Sequence, residues 1–475
     1  MIKNKFRHKI NIEEFLLFLL IIVFVIIEIP YINRPLYWDE AWSYGPAVDA
    51  MYRHGPSLMP TSISAWLSRG HPLFFYFISS LWMTIFGNNM IAIHLFFILI
   101  SILLIVFVFK TTTFVNNKKA GIFASIIIVS IPLFLSQATF LLPEMLIALL
   151  STMYVYYYLK QKLVFELITA SLLVLTKETG IIIVFSILLY HFISGLVKIK
   201  SSKEIKSIIF STVLHSIPVF VAISFFFIQK LTRGWFFYPE HLGMLTFNIT
   251  DFIGKLDLIF KYIFVNEGRF ILSFTSLIAV TWLFCKNKFR QKELNYFILG
   301  TIILIFYSLF SALNFFTLRY LLAIIPIFSI IAGILINKLF KNKIYLSIIV
   351  IFLFSLISVF FTIKSNGNGD NTLSYKNMIT ANKKIIDFCE EQNLYNDKIY
   401  SNFLMKYNLQ NTFLNYLNSD KTFTIVDDFN DADYIIVSSN ENYPNKDMVK
   451  DTNKFKLLKS VIINQSSWCE IYKRK

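Results

Sequence analysis

The chain has 475 residues, 56% of them hydrophobic and only 16% charged, against roughly a quarter charged in soluble domains. That balance excludes an ordinary soluble globular protein and indicates a polytopic membrane protein. The net charge of +16 does not signal nucleic-acid binding, because it is carried by short segments between apolar runs, as in cytosolic loops of membrane proteins.

Those segments are 1–9, 110–119, 160–162, 198–206, 286–292 and 338–343. They hold 20 of the 45 Lys and Arg and a single acid, Glu204, so the rest of the chain is slightly acidic. The first apolar run, 15–32, follows a basic start. It is long and lacks a small-residue cleavage site, so it reads as a retained helix. The loop 33–89 then opens with "NRPLYWDEAWSYGPAVD", where Asp39 and Glu40 stand among Tyr37, Trp38, Trp42 and Tyr44. Within it, "HPLFFYFISSLWMTIFG" (71–87) is apolar but short. It is expected to lie in, or re-enter from, the outer interface; the alternative is that a neighbouring run fails to cross. Runs 90–109, 121–140, 145–159, 163–176, 178–197, 207–228, 269–285, 294–312, 319–337 and 344–362 complete the set. With 15–32 they predict about eleven crossings, a span taking roughly 17–25 residues, fewer where runs are short. Putting the N-terminus in the cytosol places every basic segment inside and the C-terminal segment outside.

Residues 364–475 differ in kind, with 15 basic and 14 acidic residues. Helices are expected at 381–393 and 403–417, and strands at 397–402, 423–428, 433–439 and 456–464. The expected architecture is therefore an all-α polytopic membrane region, 1–363, and a small extracytoplasmic α/β domain, 364–475. A flexible Gly/Asn linker, "SNGNGDN" (365–371), joins them. Cys285, Cys389 and Cys469 have no metal-ligand spacing, and a Cys389–Cys469 bridge stays open.

The informative charges fall at the outer ends of helices: Asp39, Glu40, Arg69, His71, Glu144 in "FLLPEML", Lys177 and Glu178 in "LTKETG", and Arg319 in "NFFTLRYLLA". The set suits transfer of a sugar from a lipid phosphate. A departing phosphate needs positive charge beside it, which Lys177 and Arg319 supply. An acceptor hydroxyl or amine must lose a proton, and Asp39 is the first choice of base. Glu40 and Glu144 support it, bind a divalent ion, or hold acceptor hydroxyls. No cofactor is required, but Asp39 and Glu144 offer the carboxylate oxygens that Mg or Mn prefers. Trp38 and Trp42 offer flat apolar faces to a sugar or a lipid chain. Plainer readings exist: Asp39 as a helix cap, Pro143–Glu144 as an ordinary helix start, Lys177 and Arg319 as snorkelling cations, the aromatics as an interfacial belt. A transporter or flippase of a lipid-linked or anionic solute is the alternative class; nearly charge-free mid-helix stretches disfavour it.

The order helix, "WDEAWSY", amphipathic loop, "GHPLFFYF", "PEM", "LTKETG", "LRYLLA", outer α/β tail resembles the GT-C glycosyltransferases. It is most similar to family 39 and its relatives, the protein O-mannosyltransferases and lipid A aminoarabinose transferases. The resemblance covers roughly residues 15–340. It implies that the first-loop acids are Asp39 and Glu40 and the second-loop acid is Glu144. Its "HPP" motif is matched by His71 and Pro72, with Leu73 replacing the second proline. A Thr-Lys pair near the lipid phosphate is matched by Thr176 and Lys177, and an Arg-Tyr pair by Arg319 and Tyr320. The Arg that often neighbours the second-loop acid is absent around Glu144. The implied partners are a polyprenyl-phosphate sugar donor, membrane lipids and a glycan, lipid or protein acceptor, with no nucleic acid. The implied location is the plasma membrane.

Overall fold

A computed structural model describes residues 11–197, 202–243, 248–440, 449 and 453–475. The basic stretch 1–9 and part of 198–206 lie outside them. The chain is mostly helical with a small C-terminal sheet. Helix α1 (Ile12–Glu28) leads into the first loop, which folds into α2 (Gly45–His54), α3 (Ala65–Ser68) and α4 (Phe74–Phe86). Ser64 starts α3 by accepting the Leu67 N–H. At 13 residues α4 is about 20 Å long, too short to cross a hydrocarbon core of about 30 Å unaided.

Two long apolar helices follow. Asn89 caps α5 (Met90–Val115) and Asn117 caps α6 (Lys118–Ser130), each accepting an N–H three residues on. The expected crossing 121–140 is broken. Pro132 lacks an N–H and forces Ile131 into extended backbone, so α6 stops and α7 (Pro132–Gln137) restarts. Next come α8 (Pro143–Leu159), α9 (Leu163–Thr176) and α10 (Gly180–Leu196), close to the three short runs expected. Helices α11 (Ser202–His215) and α12 (Ile217–Arg233) meet at a 42° bend. After α13 (Pro239–Gly243) comes α14 (Ile249–Phe264), which the hydropathy pattern did not announce. It carries Asp251, Lys255, Asp257 and Lys261 and lies 83° from α15 (Arg269–Cys285). The region ends with α16 (Gln291–Leu313), a 3-10 turn (Leu318–Ala323), α17 (Ile325–Leu339) and α18 (Ile344–Lys364).

Among the described residues, α5, α16 and α18 qualify as spans by length and apolarity, or five spans if each bent pair counts as one, which leaves the expected eleven crossings, several of them short, unconfirmed. Helices α1, α8 and α10 have 17 residues, α17 has 15 and α9 has 14.

Helices α6 and α17 pack closely because a glycine faces the partner backbone. A Cβ on Gly333 would stand 2.9 Å from the Ala124 nitrogen and 3.1 Å from the Ala120 oxygen. Backbone cannot rotate away as a side chain can. Gly333→Val therefore costs about 1–3 kcal/mol of stability and lowers the thermal unfolding midpoint in detergent; an unchanged midpoint contradicts the contact.

The C-terminal unit holds α19 (Tyr375–Glu391), α20 (Phe403–Gln410) and strands β1 (Ile399–Ser401), β2 (Ile425–Val426), β3 (Tyr434–Ser438), β4 (Phe455–Asn464) and β5 (Ser467–Arg474). The sheet order is β2-β1-β3-β5-β4, parallel across β2-β1-β3 and antiparallel beyond. The second expected helix, 403–417, ends at Gln410. Asn411 turns extended and its side chain accepts the Phe413 N–H, starting a separate 3-10 turn. Strand β5 went unassigned in the sequence. The expected linker is not free: Tyr37 Oη donates to the Asn368 carbonyl at 2.5 Å, Asn368 Nδ2 to the Ser439 carbonyl at 2.8 Å, and Gln137 Nε2 to the Asp370 carbonyl at 2.7 Å. All three cysteines are free thiols, so the Cys389–Cys469 pairing is not made.

Candidate active site

Asp39 owes its position to an unusual backbone. Trp38 is left-handed (φ 53°), and residues Glu40–Tyr44 then form a π-helical turn, a combination that costs energy and concentrates at functional sites. The Asp39 side chain makes no cap hydrogen bond, so the capping reading falls. Instead Oδ1 accepts the Trp42 Nε1–H at 2.8 Å, and Oδ2 accepts from Arg319. Burial alone would raise the Asp39 pKa, but Arg319 and the Trp42 hydrogen bond outweigh it and hold the carboxyl below its usual range.

Glu40 does not join it. The fully buried Glu40 carboxylate grips Arg34 with both oxygens, at 2.8 and 3.1 Å, and accepts the backbone N–H groups of Tyr37 (2.9 Å) and Leu141 (2.5 Å). Arg34 in turn lies over the Phe140 ring, 4.3 Å from its centroid. Glu40, expected to serve the chemistry, is thus held away from the cavity and ties the first loop to the turn before α8. The double acid divides into one residue facing a cavity and one facing the core.

That cavity has a volume of about 490 Å³. Asp39, Trp38, Trp42, Arg69, His71, Lys177, Arg319 and Tyr320 all line it, drawn from sites nearly 300 residues apart in sequence. Arg69 lies 3.9 Å from the Trp42 ring centroid and 5.3 Å from that of Trp66. His71 Nδ1 is 2.9 Å from Glu178 Oε2, and its ring stacks on Tyr44. Burial would raise Glu178, but His71 and Lys177 bring it down to about 2; burial and His71 bring His241 down to about 4.

Beneath the wall is a buried ion cluster. Lys177 follows α9 in extended backbone, with Nζ 3.2 Å from Glu144 Oε1 and 4.1 Å from the Tyr320 ring centroid. Arg319 Nη2 donates to Asp39, Nη1 to Asp370, and Nε sits 3.6 Å from Glu144 Oε1. Every guanidinium nitrogen therefore faces a carboxylate, which leaves Arg319 poorly placed for the donor-phosphate contact expected of it. Glu144 lies behind Lys177 and Arg319 rather than on the cavity surface, and its Oε2 has no hydrogen-bond partner. Both Asp39 and Glu144 turn toward Arg319 rather than toward a shared ion. Among the described residues no group of three or more His, Cys, Asp and Glu is arranged to hold a metal, so the divalent-ion expectation at Asp39 and Glu144 has no donor set behind it. Asp370 was missed because a Gly/Asn run carries no periodicity. Burial raises its pKa against the opposing pull of Arg319.

A second, apolar cavity of about 650 Å³ lies between α14, α15, α16 and α17. The two share α16 as a wall: Ser308 and Leu309 face the apolar one, Tyr307 and Ser311 the polar one.

A family profile described as dolichyl-phosphate-mannose-protein mannosyltransferase matches residues 70–225. No curated protein matches the chain by sequence. Among solved structures, ArnT from Cupriavidus metallidurans bound to undecaprenyl phosphate has a TM-score of 0.58 at 12% identity, over 96% of this chain and 97% of that one. The same protein in the apo state gives 0.61 at 12% identity, over 97% and 98%. The Archaeoglobus fulgidus oligosaccharyltransferase, in complex with zinc and sulfate, gives 0.51 at 13% identity, over 89% of this chain and 68% of that one. At such identities the likeness is one of fold. The chain is thus similar to the mannosyltransferase profile over about a third of its length, and similar in fold to ArnT over nearly all of it.

Proposed function

We propose that this protein moves a sugar from a polyprenyl-phosphate donor to a lipid, glycan or protein acceptor on the outer face of the plasma membrane. The N-terminus is then cytosolic, and residues 364–475 form an extracytoplasmic domain over the polar cavity. One observation carries the reading: Asp39, Lys177, His71 and Arg69 converge on a single cavity, and the other side of its α16 wall lines a separate apolar cavity of about 650 Å³.

In this reaction the bond between the sugar C1 and an acceptor oxygen or nitrogen forms as the C1–O bond to phosphate breaks. Polyprenyl phosphate leaves with the bonding electrons, and the acceptor proton goes to the Asp39 carboxylate. Asp39 is a weak base because Arg319 holds it ionised. It takes the proton late, when bonding to C1 has made the acceptor acidic. Lys177 stands at the leaving phosphate. Arg319 serves as a positioning residue that aims Asp39, and Glu144 aims Lys177. Around these two cations stand Asp39, Glu144 and Asp370, one negative charge in excess. Removing charge at the two sites therefore has opposite effects on donor binding. Lys177→Gln weakens binding of a polyprenyl-phosphate sugar by about 10- to 100-fold, the loss of a charge-assisted hydrogen bond. Asp370→Asn tightens it. Equal affinities in all three proteins contradict the assignment. In cells, mass spectrometry of lipids and envelope glycans with and without the protein identifies the product: one sugar-substituted species disappears with the gene. An unchanged inventory speaks against the reaction.

A further inference from the structure

The C-terminal unit carries a cavity of its own, of about 260 Å³. It opens where Asn402 follows β1 and Asp427 follows β2, at the carboxyl ends of two adjacent parallel strands. That edge is where open α/β sheets hold small ligands. Tyr400, Phe403 and Tyr407 line it with rings, and Phe403 stands edge-on to Tyr407 at 5.9 Å between centroids. Asn402, Lys406 and Asp427 stand among them. Asn402 occupies the N-cap position of α20 but makes no cap hydrogen bond, and its Oδ1 accepts the Tyr400 Oη–H at 3.0 Å. Lys406 Nζ lies 2.6 Å from Asp427 Oδ1, and the Asp427 side chain is exposed. An exposed ion pair adds little to stability, so folding alone does not account for its place here.

This cavity is one ring away from the reaction site. Phe403 packs edge-on against Trp42, with centroids 5.3 Å apart. Trp42 in turn lines the sugar-transfer cavity and donates to Asp39. The Trp42–Phe403 contact thus joins the two linings.

The lining chemistry narrows the occupant. Lys406 and Asp427 cancel in charge, which gives an anion no net attraction. Polar side chains beside each ring leave no continuous apolar face for an acyl chain. Flat rings next to fixed donors and acceptors match a sugar unit, with its apolar C–H face and vicinal hydroxyls. Asp427 accepts hydroxyl hydrogens and Lys406 donates.

We propose that this cavity is a subsite for one neutral sugar unit of the acceptor, which makes the acceptor a glycan; the inference rests on the sugar-transfer reading. The sugar stacks on Tyr407 and hydrogen-bonds with Asp427 and Lys406. A neighbouring unit of the same saccharide passes Trp42 and presents its hydroxyl to Asp39.

The test uses the purified full chain in detergent, without donor. It is mixed with oligosaccharides released by mild acid from the cell envelope, or with a peptide digest of envelope proteins, and bound masses are read by native mass spectrometry. A saccharide of defined mass is expected to bind, and peptides are not. Asp427→Ala and Tyr407→Ala each weaken that binding about 10-fold, the loss of a charge-assisted hydrogen bond or of a stacked ring. Tyr407→Phe, which keeps the ring, restores it. Because Asp427 is exposed, its variant folds and gives a reading even if Tyr407→Ala folds poorly. In transfer assays the effect of both alanine variants falls on KM for that saccharide, and donor affinity stays at the wild-type value. No bound saccharide, peptides bound in its place, or wild-type affinity and KM in both alanine variants overturns the subsite and leaves the reaction standing. Saccharide binding that weakens in the variants, with no transfer by any of the proteins, upholds the sugar site and overturns the reaction instead.

Discussion

Asp39→Asn lowers turnover by about 10²- to 10⁴-fold, the range for removal of a general base, with little change in thermal stability and, as in Asp370→Asn, donor binding that is not weakened. Asparagine keeps the shape and still accepts the Trp42 Nε1–H, so the π-helical turn is not forced to rearrange. Arg319 keeps Asp370 and Glu144 as partners, so no buried cation is left alone. What disappears is the acceptor for the substrate proton. Asp39→Glu restores the charge on a longer arm and recovers part of the rate. Initial rates with a polyprenyl-phosphate sugar, beside donor affinity and unfolding midpoint, separate these effects. Wild-type turnover in Asp39→Asn rejects the base assignment.

Glu40→Gln behaves in the opposite way, losing stability by about 3–5 kcal/mol because it strands a buried guanidinium. Arg34 and Glu40 are both buried, and Leu141 and Tyr37 donate into the same carboxylate. Replacing both charges at once, Arg34→Met with Glu40→Leu, recovers much of the loss, since a well-packed apolar pair in place of a buried ion pair is often neutral. Thermal unfolding of the two single variants and the double variant measures the coupling. If Glu40→Gln instead lost turnover at an unchanged midpoint, Glu40 would belong to the chemistry.

These neighbouring acids show where sequence reading stops. Both carboxylates beside aromatics were legible as unusual, but nothing in "WDEAWSY" states that the chain turns at Trp38 with positive φ and parts them. The cavity residues Asp39, His71, Lys177 and Arg319 were legible because each interrupts an apolar pattern at a helix end. The expected depth follows from that alone. The partners of Arg319 were not. Asp370 lies in a Gly/Asn run with no periodicity, and its value comes from tertiary approach. His241 escaped as a site residue for a similar reason, since "YPEHLG" belongs to no periodic element. Helix boundaries were not legible either: Pro132 splits one hydropathy run into α6 and α7, and α14 intersperses Asp251, Lys255, Asp257 and Lys261 among its apolar residues.

The central claim is that this cavity breaks a sugar–phosphate bond rather than passing a lipid-linked solute across the membrane. The direct measurement follows a labelled polyprenyl-phosphate sugar in vesicles holding the purified protein and an envelope extract as the acceptor pool. The account predicts free polyprenyl phosphate appearing in step with labelled acceptor, with both lost in Asp39→Asn. Intact donor reaching the opposite leaflet, with no polyprenyl phosphate released, would contradict it.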